Sequence, residues 1–466
     1  MTRRSPHLLL GVAVLLAGCA VGPDYKRPEA ISTPGFKELD GWKPAAPAEL
    51  SNRGAWWSVF QDPDLDALEA QVEISNQTLR AAVAAYDQSV AVVAQARAAL
   101  LPVVSTAPSV TRAQSAGTAH TRTTNTAELN ASWELDVWGR LRRTVQGDIA
   151  TAQANAADLA NATLSAQALL ATDYFELRAA DTLKALLERT VAEYRRALAI
   201  TTNQYKAGTA ARSDVITAQT QLQGAMSQSI NAGVQRAQLE HAIAVLTGHP
   251  PSALTLRVAP LTSLVPVVPA GLPSELLERR PDIAAAERMM AVQNEQIGIA
   301  IAAYYPQVSL SAVYGFAGSP LSQLFDTANR VWSLGASAGQ TLFDGGDRAA
   351  DVRAARAVYD EAVANYRQTV LTAFQQVEDQ LSTLRILQEQ YAAQQEAVSL
   401  AQRAVDVTLN QYRAGTITYT AVITAQNTLL LDQQTLVSLQ QQRLVASVTL
   451  VQAIGGGWSA ADLPKL

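Results

Sequence analysis

One residue in this 466-residue chain prescribes a chemical reaction by its position alone, the single cysteine Cys19. It closes the run Leu16-Ala17-Gly18-Cys19, behind the apolar stretch Leu8–Leu16 and the basic pair Arg3 and Arg4. That order matches a bacterial lipobox, in which small residues let the cleavage site enter a peptidase and the thiol accepts lipid. Residues 1–18 are therefore expected to be a signal peptide and residues 19–61 a lipidated N-terminal segment. The apolar stretch is too short to span a bilayer; a plain signal peptide with an incidental cysteine is the alternative, against which the chain's only cysteine falls at the one position this processing requires. Acyl chains contribute about 0.8 kcal/mol per buried CH₂, and stable anchoring takes more than one chain. Ala20 follows the cysteine where inner-membrane lipoproteins as a class often carry Asp, which points to the outer membrane.

The other reactive groupings read as structure. A lone cysteine excludes a disulfide scaffold and a Cys-based zinc cage. His7, His120, His241 and His249 show no HxxxH or HExxH spacing, so no metal site is expected. Glu278-Arg279-Arg280-Pro281-Asp282 has the look of an active-site cluster, but Pro281 suits a turn, Asp282 a helix start and the arginines local pairing. Asp344-Gly345-Gly346-Asp347 fits a turn with Asp347 as N-cap of a following helix better than a cation loop. Gly455-Gly456-Gly457 lacks the Lys-Ser/Thr of a phosphate loop. No catalytic residue and no cofactor is expected. With 36 Lys+Arg against 41 Asp+Glu, the net charge is −5, which leaves no basic excess for nucleic acid.

Long elements must position what remains. Tyr205-Lys-Ala-Gly-Thr209 and Val215-Ile-Thr-Ala-Gln219 return as Tyr412-Arg-Ala-Gly-Thr416 and Val422-Ile-Thr-Ala-Gln426, both shifted by 207 residues (205 to 412). Ala98-Ala-Leu-Leu-Pro102 likewise returns as Ala302-Ala-Tyr-Tyr-Pro306. The chain is thus read as a tandem duplication. Residues 109–249 and 321–463 hold no proline, and residues 148–207 and 347–414 hold neither Gly nor Pro. At 1.5 Å per residue the longer run makes a rod of about 100 Å. Val363, Val370, Phe374, Val377, Leu381 and Leu384 fall on one helical face. A simple coiled-coil spacer shares that periodicity. Gly208 and Gly415 are left-handed C-caps at which each rod stops and reverses, and apolar helical patterns resume through Ile216–Leu246 and Val422–Ile454.

Before each rod the period changes to two. In Ala127–Val137 odd positions are apolar and even ones polar. Val308, Leu310, Ala312, Tyr314 and Phe316 alternate with small or polar residues, and so do Trp332, Leu334, Ala336 and Ala338. Val103–Ala113 is a weaker fourth strand, limited by Pro102 and Pro108. About ten residues suffice for a tilted strand to cross an outer membrane. A soluble half-buried sheet shares the alternation, but Trp, Leu, Tyr and Phe opposite tiny or polar residues suit lipid on one side and a wet lumen on the other. Four strands cannot close a barrel, and open edges are not tolerated in lipid. Two chains would give eight strands and three would give twelve. A transport lumen favours three, because eight-stranded barrels are filled by their own side chains.

The domain plan is a first repeat at 62–249, with a helix, strands about 102–113 and 126–137 and a hairpin tip about 206–212. A linker spans 250–272. The second repeat at 273–454 has a helix, strands about 306–317 and 331–343 and a tip about 413–419, followed by a tail at 455–466. The fold class is mainly α with a β membrane part, two tandem repeats of strand pair plus long helical hairpin.

Four stretches carry a family likeness: Gly18-Cys-Ala-Val-Gly-Pro-Asp-Tyr-Lys-Arg-Pro28, Leu277-Glu-Arg-Arg-Pro-Asp-Ile-Ala-Ala-Ala-Glu287, Leu342-Phe-Asp-Gly-Gly346 and Ile454-Gly-Gly-Gly-Trp458. In that order the chain resembles the outer-membrane factor (TolC-like) family, and within it the NodT/OprM-type efflux lipoproteins. The resemblance implies a homotrimer whose 12-stranded β-barrel in the outer membrane continues into a 12-helix periplasmic α-barrel. It implies docking onto a periplasmic adaptor (membrane fusion protein) and an inner-membrane resistance-nodulation-division (RND) pump, with passive conduction of drugs or other small molecules. Adaptor docking would carry over to Tyr205, Gly208, Ser213 and Asp214 in the first tip and to Tyr412, Gly415 and Thr416 in the second. Relatives often narrow the periplasmic aperture with charges after the second tip, whereas here Tyr419–Asn427 carries none. Thr420, Thr424 and Asn427 are expected as a polar ring instead, or closure near Asp406 or Arg413. Type I protein secretion, a non-conducting structural trimer and a lipoprotein enzyme are the competing functions.

Overall fold

The computed structural model describes residues 20–29, 35–38, 55–114, 120–266 and 278–466. Cys19, the expected signal peptide 1–18 and residues 267–277 lie outside the described residues. The molecule is mostly helical with a modest sheet.

Local chemistry starts the short helices. The Asp62 carboxylate accepts the N–H groups of Asp64 (3.0 Å) and Leu65 (3.3 Å) ahead of α1 (Pro63–Ser75), with Pro63 in the first turn. Asn76 caps α2 (Gln77–Ala98) in the same way, and its amide donates to the Leu246 carbonyl at 2.9 Å.

The duplication is visible in the long elements. α3 (Arg140–Lys206) and α6 (Asp347–Arg413) have 67 residues each. Their partners α4 (Arg212–Leu246) and α7 (Tyr419–Ala453) have 35 each. All eight ends are related by the shift of 207 residues. α5 (Pro281–Ala302), 22 residues long like α2, opens the second repeat. Each long helix packs antiparallel on its short partner, and α3 also runs along α7, joining the repeats. The face expected from sequence is the buried one: Val370, Phe374, Val377, Leu381 and Leu384 enter the main core, with Val363 packed against it. That core gathers Phe60, Leu65, Tyr174, Ile283, Tyr366 and Leu444, and all seven α-helices contribute to it.

One expected cap is corrected. Gly346, not Asp347, is the N-cap of α6, and Asp347 is its first helical residue. The Asp344 carboxylate does the capping, accepting the Gly346 N–H at 3.0 Å and pairing with Arg348. In the first repeat Asp136 accepts the N–H groups of Leu141 and Arg142, both at 2.9 Å. A Gly-containing turn puts the carboxylate nearer the free amides than the first helical residue could be.

The sheet contains β1 (Val103–Thr106), β2 (Ser109–Gln114), β3 (Thr121–Leu135), β4 (Gln307–Gly318) and β5 (Arg330–Gly339). β1 and β2 lie end to end along one edge of β3, so the expected strand 102–113 is interrupted at Ala107-Pro108. Proline has no N–H for the ladder. β3 starts at Thr121, earlier than expected, and β5 stops at Gly339, short of residue 343. β3 of the first repeat pairs with β4 of the second, all neighbours are antiparallel, and β1/β2 and β5 are left as edges.

Candidate functional site: the sheet faces and the hairpin tips

The register fixes what each sheet face presents. Leu129, Tyr314 and Trp332 stand opposite one another in one row, and Trp133, Leu310 and Ala336 in another. Leu129, Tyr314, Trp332 and Leu334 are exposed. The other face carries Glu134-Ser309-Ser337 and Ser132-Ser311-Gly335, with the Ser309 and Ser337 hydroxyls 2.8 Å apart. A sheet with one broad apolar exposed face and one narrow polar face suits a boundary between lipid and water. Among the described residues no helix is long and apolar enough to cross a membrane.

Below the sheet, the residues that follow Cys19 are held tightly. The Val21 N–H donates to the Trp138 carbonyl at 3.0 Å. Arg143, 2% exposed, donates to the carbonyls of Val21 (2.6 Å), Gly22 (3.1 Å) and Pro23 (3.1 Å) and to Glu295 (2.8 Å) on α5. The Tyr25 hydroxyl donates to Glu287 at 2.6 Å. Sequence reading missed this clamp, because nothing in Arg140-Leu-Arg-Arg143 marks which arginine turns inward.

At the far end, α3 reverses into α4 and α6 into α7. Gly208 (φ +74°) donates to Tyr205 O and Thr209 N–H to Gln204 O, each at 2.9 Å. Gly415 (φ +72°) and Thr416 repeat this on Tyr412 and Gln411, each at 3.0 Å. Both turns are Schellman motifs, which use up the last helical carbonyls. Ser213 and Asp214 sit in the first turn of α4, where a negative side chain favours the helix dipole. Tyr205 is exposed, but its counterpart Tyr412, expected at the tip surface, is buried. Its ring lies 5.2 Å from that of Tyr419, among Ala218, Val422, Leu198 and Ile200. Burial pushes the Tyr419 hydroxyl up to about 12 and raises that of Tyr412. The second tip is therefore seated on the first hairpin by aromatic packing.

The expected aperture residues divide. Thr420, Thr424 and Asn427 are exposed on one face of α7, with the Thr424 hydroxyl donating to the Thr420 carbonyl. Asn427 accepts from the Gln221 amide of α4, a link between hairpins that the sequence did not reveal. Asp406 and Arg413 are not brought together: Asp406 accepts from Gln402 and Arg413 donates to Asn410, both neighbours on α6. The Glu278–Asp282 cluster is structural, since Arg280 pairs with Asp282 at 2.7 Å, donates to Ala453 O at 2.8 Å and precedes Pro281 in the first turn of α5. Among the described residues no group of three or more His, Cys, Asp or Glu could hold a metal ion.

Comparison with known proteins agrees with this geometry. A family profile described as outer membrane efflux protein matches residues 68–249 and 272–456. The chain is 30% identical over 462 residues to the probable efflux pump outer membrane protein TtgC of Pseudomonas putida, covering 97% of this chain and 96% of that one. It is 30% identical over 466 residues to the pyoverdine export outer membrane protein OpmQ of Pseudomonas aeruginosa, covering 97% of each. The solved outer-membrane channel OprN superposes with a TM-score of 0.88 at 29% identity, over 94% of this chain and all of that one.

Proposed function

The chain belongs to the outer membrane efflux protein family, and from that premise we infer that it is the outer-membrane exit channel of a tripartite RND efflux system. It conducts drugs or other small molecules passively from pump and adaptor to the exterior. One observation carries the reading: a single chain supplies a five-segment sheet with an apolar face and open edges, above helices of about 100 Å. Open edges in lipid demand partners. Three copies would close a 12-stranded barrel over a 12-helix tunnel, and the rods are long enough to reach deep into the periplasm.

Cys19 is the proposed lipid attachment point. The support is the clamp on Val21, Gly22 and Pro23, which keeps the start of the mature chain beside the sheet, where acyl chains would meet the bilayer. The tips, with Tyr205, Gly208, Ser213, Asp214, Gly415 and Thr416, are the proposed adaptor contacts, and Tyr412 supports them from inside. Thr420, Thr424 and Asn427 with Gln221 are proposed to line the aperture as neutral hydrogen-bonding groups.

Deletion of the gene, followed by a susceptibility panel of antibiotics, dyes, detergents and metals, tests the function. Hypersensitivity restored by the wild-type gene is the expected result. Unchanged tolerance together with loss of a secreted protein would instead make the channel part of a type I secretion system.

A further inference from the structure

The apolar face of the sheet is not flat. In one row Ala131 and Ala312 stand beside Leu334, and in the next Ala336 stands beside Leu310 and Trp133. The small side chains leave a hollow of about 480 Å³ among the large ones. Successive strand residues point to opposite faces, so Ser132 and Ser311, which lie between these positions, send their hydroxyls to the other side. On that other side a Cβ added to Gly335 would meet the Ser311 Oγ at 2.7 Å. The hollow therefore offers a ligand aliphatic and aromatic side chains. Trp133 is fixed as its wall, because the indole N–H donates to the Leu100 carbonyl at 2.9 Å. All six lining side chains lie within five positions of Leu135, Gln307 or Gly339, the strand ends nearest the helices.

Ala20 is held at the same end of the sheet. Gly139, four residues past the end of β3, takes φ +83°, and a Cβ built on it would lie 2.7 Å from the Ala20 Cβ. Two residues further on, a Cβ on Gly22 would lie 2.6 Å from the Gly298 Cα of α5. With the Val21 N–H on Trp138 and Arg143 on the carbonyls beyond it, this stretch has no slack. Covalent geometry puts the Cys19 Cα about 3.8 Å from that of Ala20. Trp133 is six residues from Gly139, at most about 20 Å along an extended chain. The path is shorter than that, because Val137 folds back to donate to the Leu135 carbonyl at 2.8 Å. An acyl chain covers about half of a ~30 Å hydrocarbon core. A chain rooted at Cys19 and turned toward the sheet therefore reaches the hollow.

We propose that an acyl chain carried by Cys19 lies in this hollow, packed on Ala131, Ala312 and Ala336 between Trp133 and Leu334. This placement rests on the reading of Cys19 as the lipid attachment point, and adds where the attached chain goes. The opposite face cannot take it, since Glu134, Ser309 and Ser337 stand there at the same height. Hydrocarbon filling the hollow gains dispersion contacts that an unfilled surface lacks. A diffusing lipid could make the same contacts, but it loses more freedom on settling there than a chain whose root is already clamped beside the sheet. The lipid then fixes the height and bearing of the sheet in the bilayer, where a loose tether would only keep the protein near it.

The test is photo-cross-linking of the full-length lipoprotein in cells grown on a palmitate analogue with a diazirine near its methyl end. After irradiation and digestion, mass spectrometry is expected to find the peptide that begins at Cys19 joined through its lipid to peptides containing Trp133, Leu310 or Leu334. Sheet peptides carrying only free phospholipid would mean that bilayer lipid fills the hollow, and would overturn the placement. A labelled Cys19 whose cross-links avoid these peptides would overturn it too. A Cys19 without label overturns the lipid attachment itself, and the placement with it. Ala312→Trp fills the hollow and is expected to lose most of the joined peptides while Cys19 stays labelled. Leu129→Trp, on the same face but outside the hollow, is expected to keep them. Ala336→Leu fills the hollow from the neighbouring strand and is read in the same way should Ala312→Trp not assemble. Joined peptides undiminished in the filled variant would overturn the placement.

Discussion

Two side chains show how much hangs on single positions. Glu69 in α1 is fully buried with both carboxylate oxygens unpartnered. Burial, reinforced by Glu73 and Asp66, pushes its pKa up to about 9. The unfolded chain ionises this group near pH ~4.3, so the protonated form is favoured by folding. Stability is complete below that value and falls as pH rises toward 9. Glu69→Gln keeps the shape and removes the charge. It is expected to raise the thermal midpoint at pH 8 by about 2 °C or more, on the scale of 1 kcal/mol, and to leave it unchanged at pH 4. Equal shifts at both pH values would show that ionisation is not the cause. Cys19→Ser is expected to abolish incorporation of palmitate analogues and to lower the amount of protein in the outer membrane. Labelling that persists in that variant would remove the anchor assignment.

At the scale of elements, the tip turns separate function from folding. Neither Gly208 nor Gly415 has any atom within 4 Å of where a Cβ would stand, so only the positive φ resists a side chain. A non-glycine residue there costs roughly 1–2 kcal/mol, confined to the turn. Gly415→Pro also removes the N–H given to Tyr412. Both Gly208→Asp and Gly415→Pro are expected to cost most of the drug tolerance while the oligomer and barrel persist, because the tips lie at the far end of 67-residue helices. Wild-type tolerance with normal protein levels would argue against docking at the tips. The clamp at the other end is of a different kind. Arg143 and Glu295 are both buried, and removing one partner of such a pair strands the other charge, typically at 3–5 kcal/mol.

For the whole molecule, closure is the deciding property. The apolar sheet face and the exposed aliphatic residues of α4 and α6 are the kind of surface that marks a membrane or protein interaction site. The purified lipid-modified protein is expected to form discrete ion-passing channels in planar bilayers, with conductance rising when Asn427→Ala breaks the link to Gln221. Bilayers that stay silent with correctly assembled protein would contradict a conducting role. The relatives named for efflux and for pyoverdine export resemble this chain equally, at 30% identity, so overall similarity does not distinguish between their cargoes.

The sequence by itself determined the repeat, the rods, the strands and the tips, because each is a local property. Helix length follows from missing Gly and Pro, strand faces from period-two alternation, and the turns from the two glycines that tolerate positive φ. Even Val370, Phe374, Val377 and Leu381 could be assigned to the core from their spacing alone. Only the tertiary structure decided that Tyr412 turns inward while Tyr205 does not, that Asp344 and not Asp347 serves α6, that Arg143 grips Val21, Gly22 and Pro23, and that Gln221 meets Asn427. Apart from the Asp344 cap, which is local, those outcomes depend on contacts between residues far apart in the chain, and duplicated sequences give both copies the same local instructions. What separates the copies is the neighbour each receives on folding.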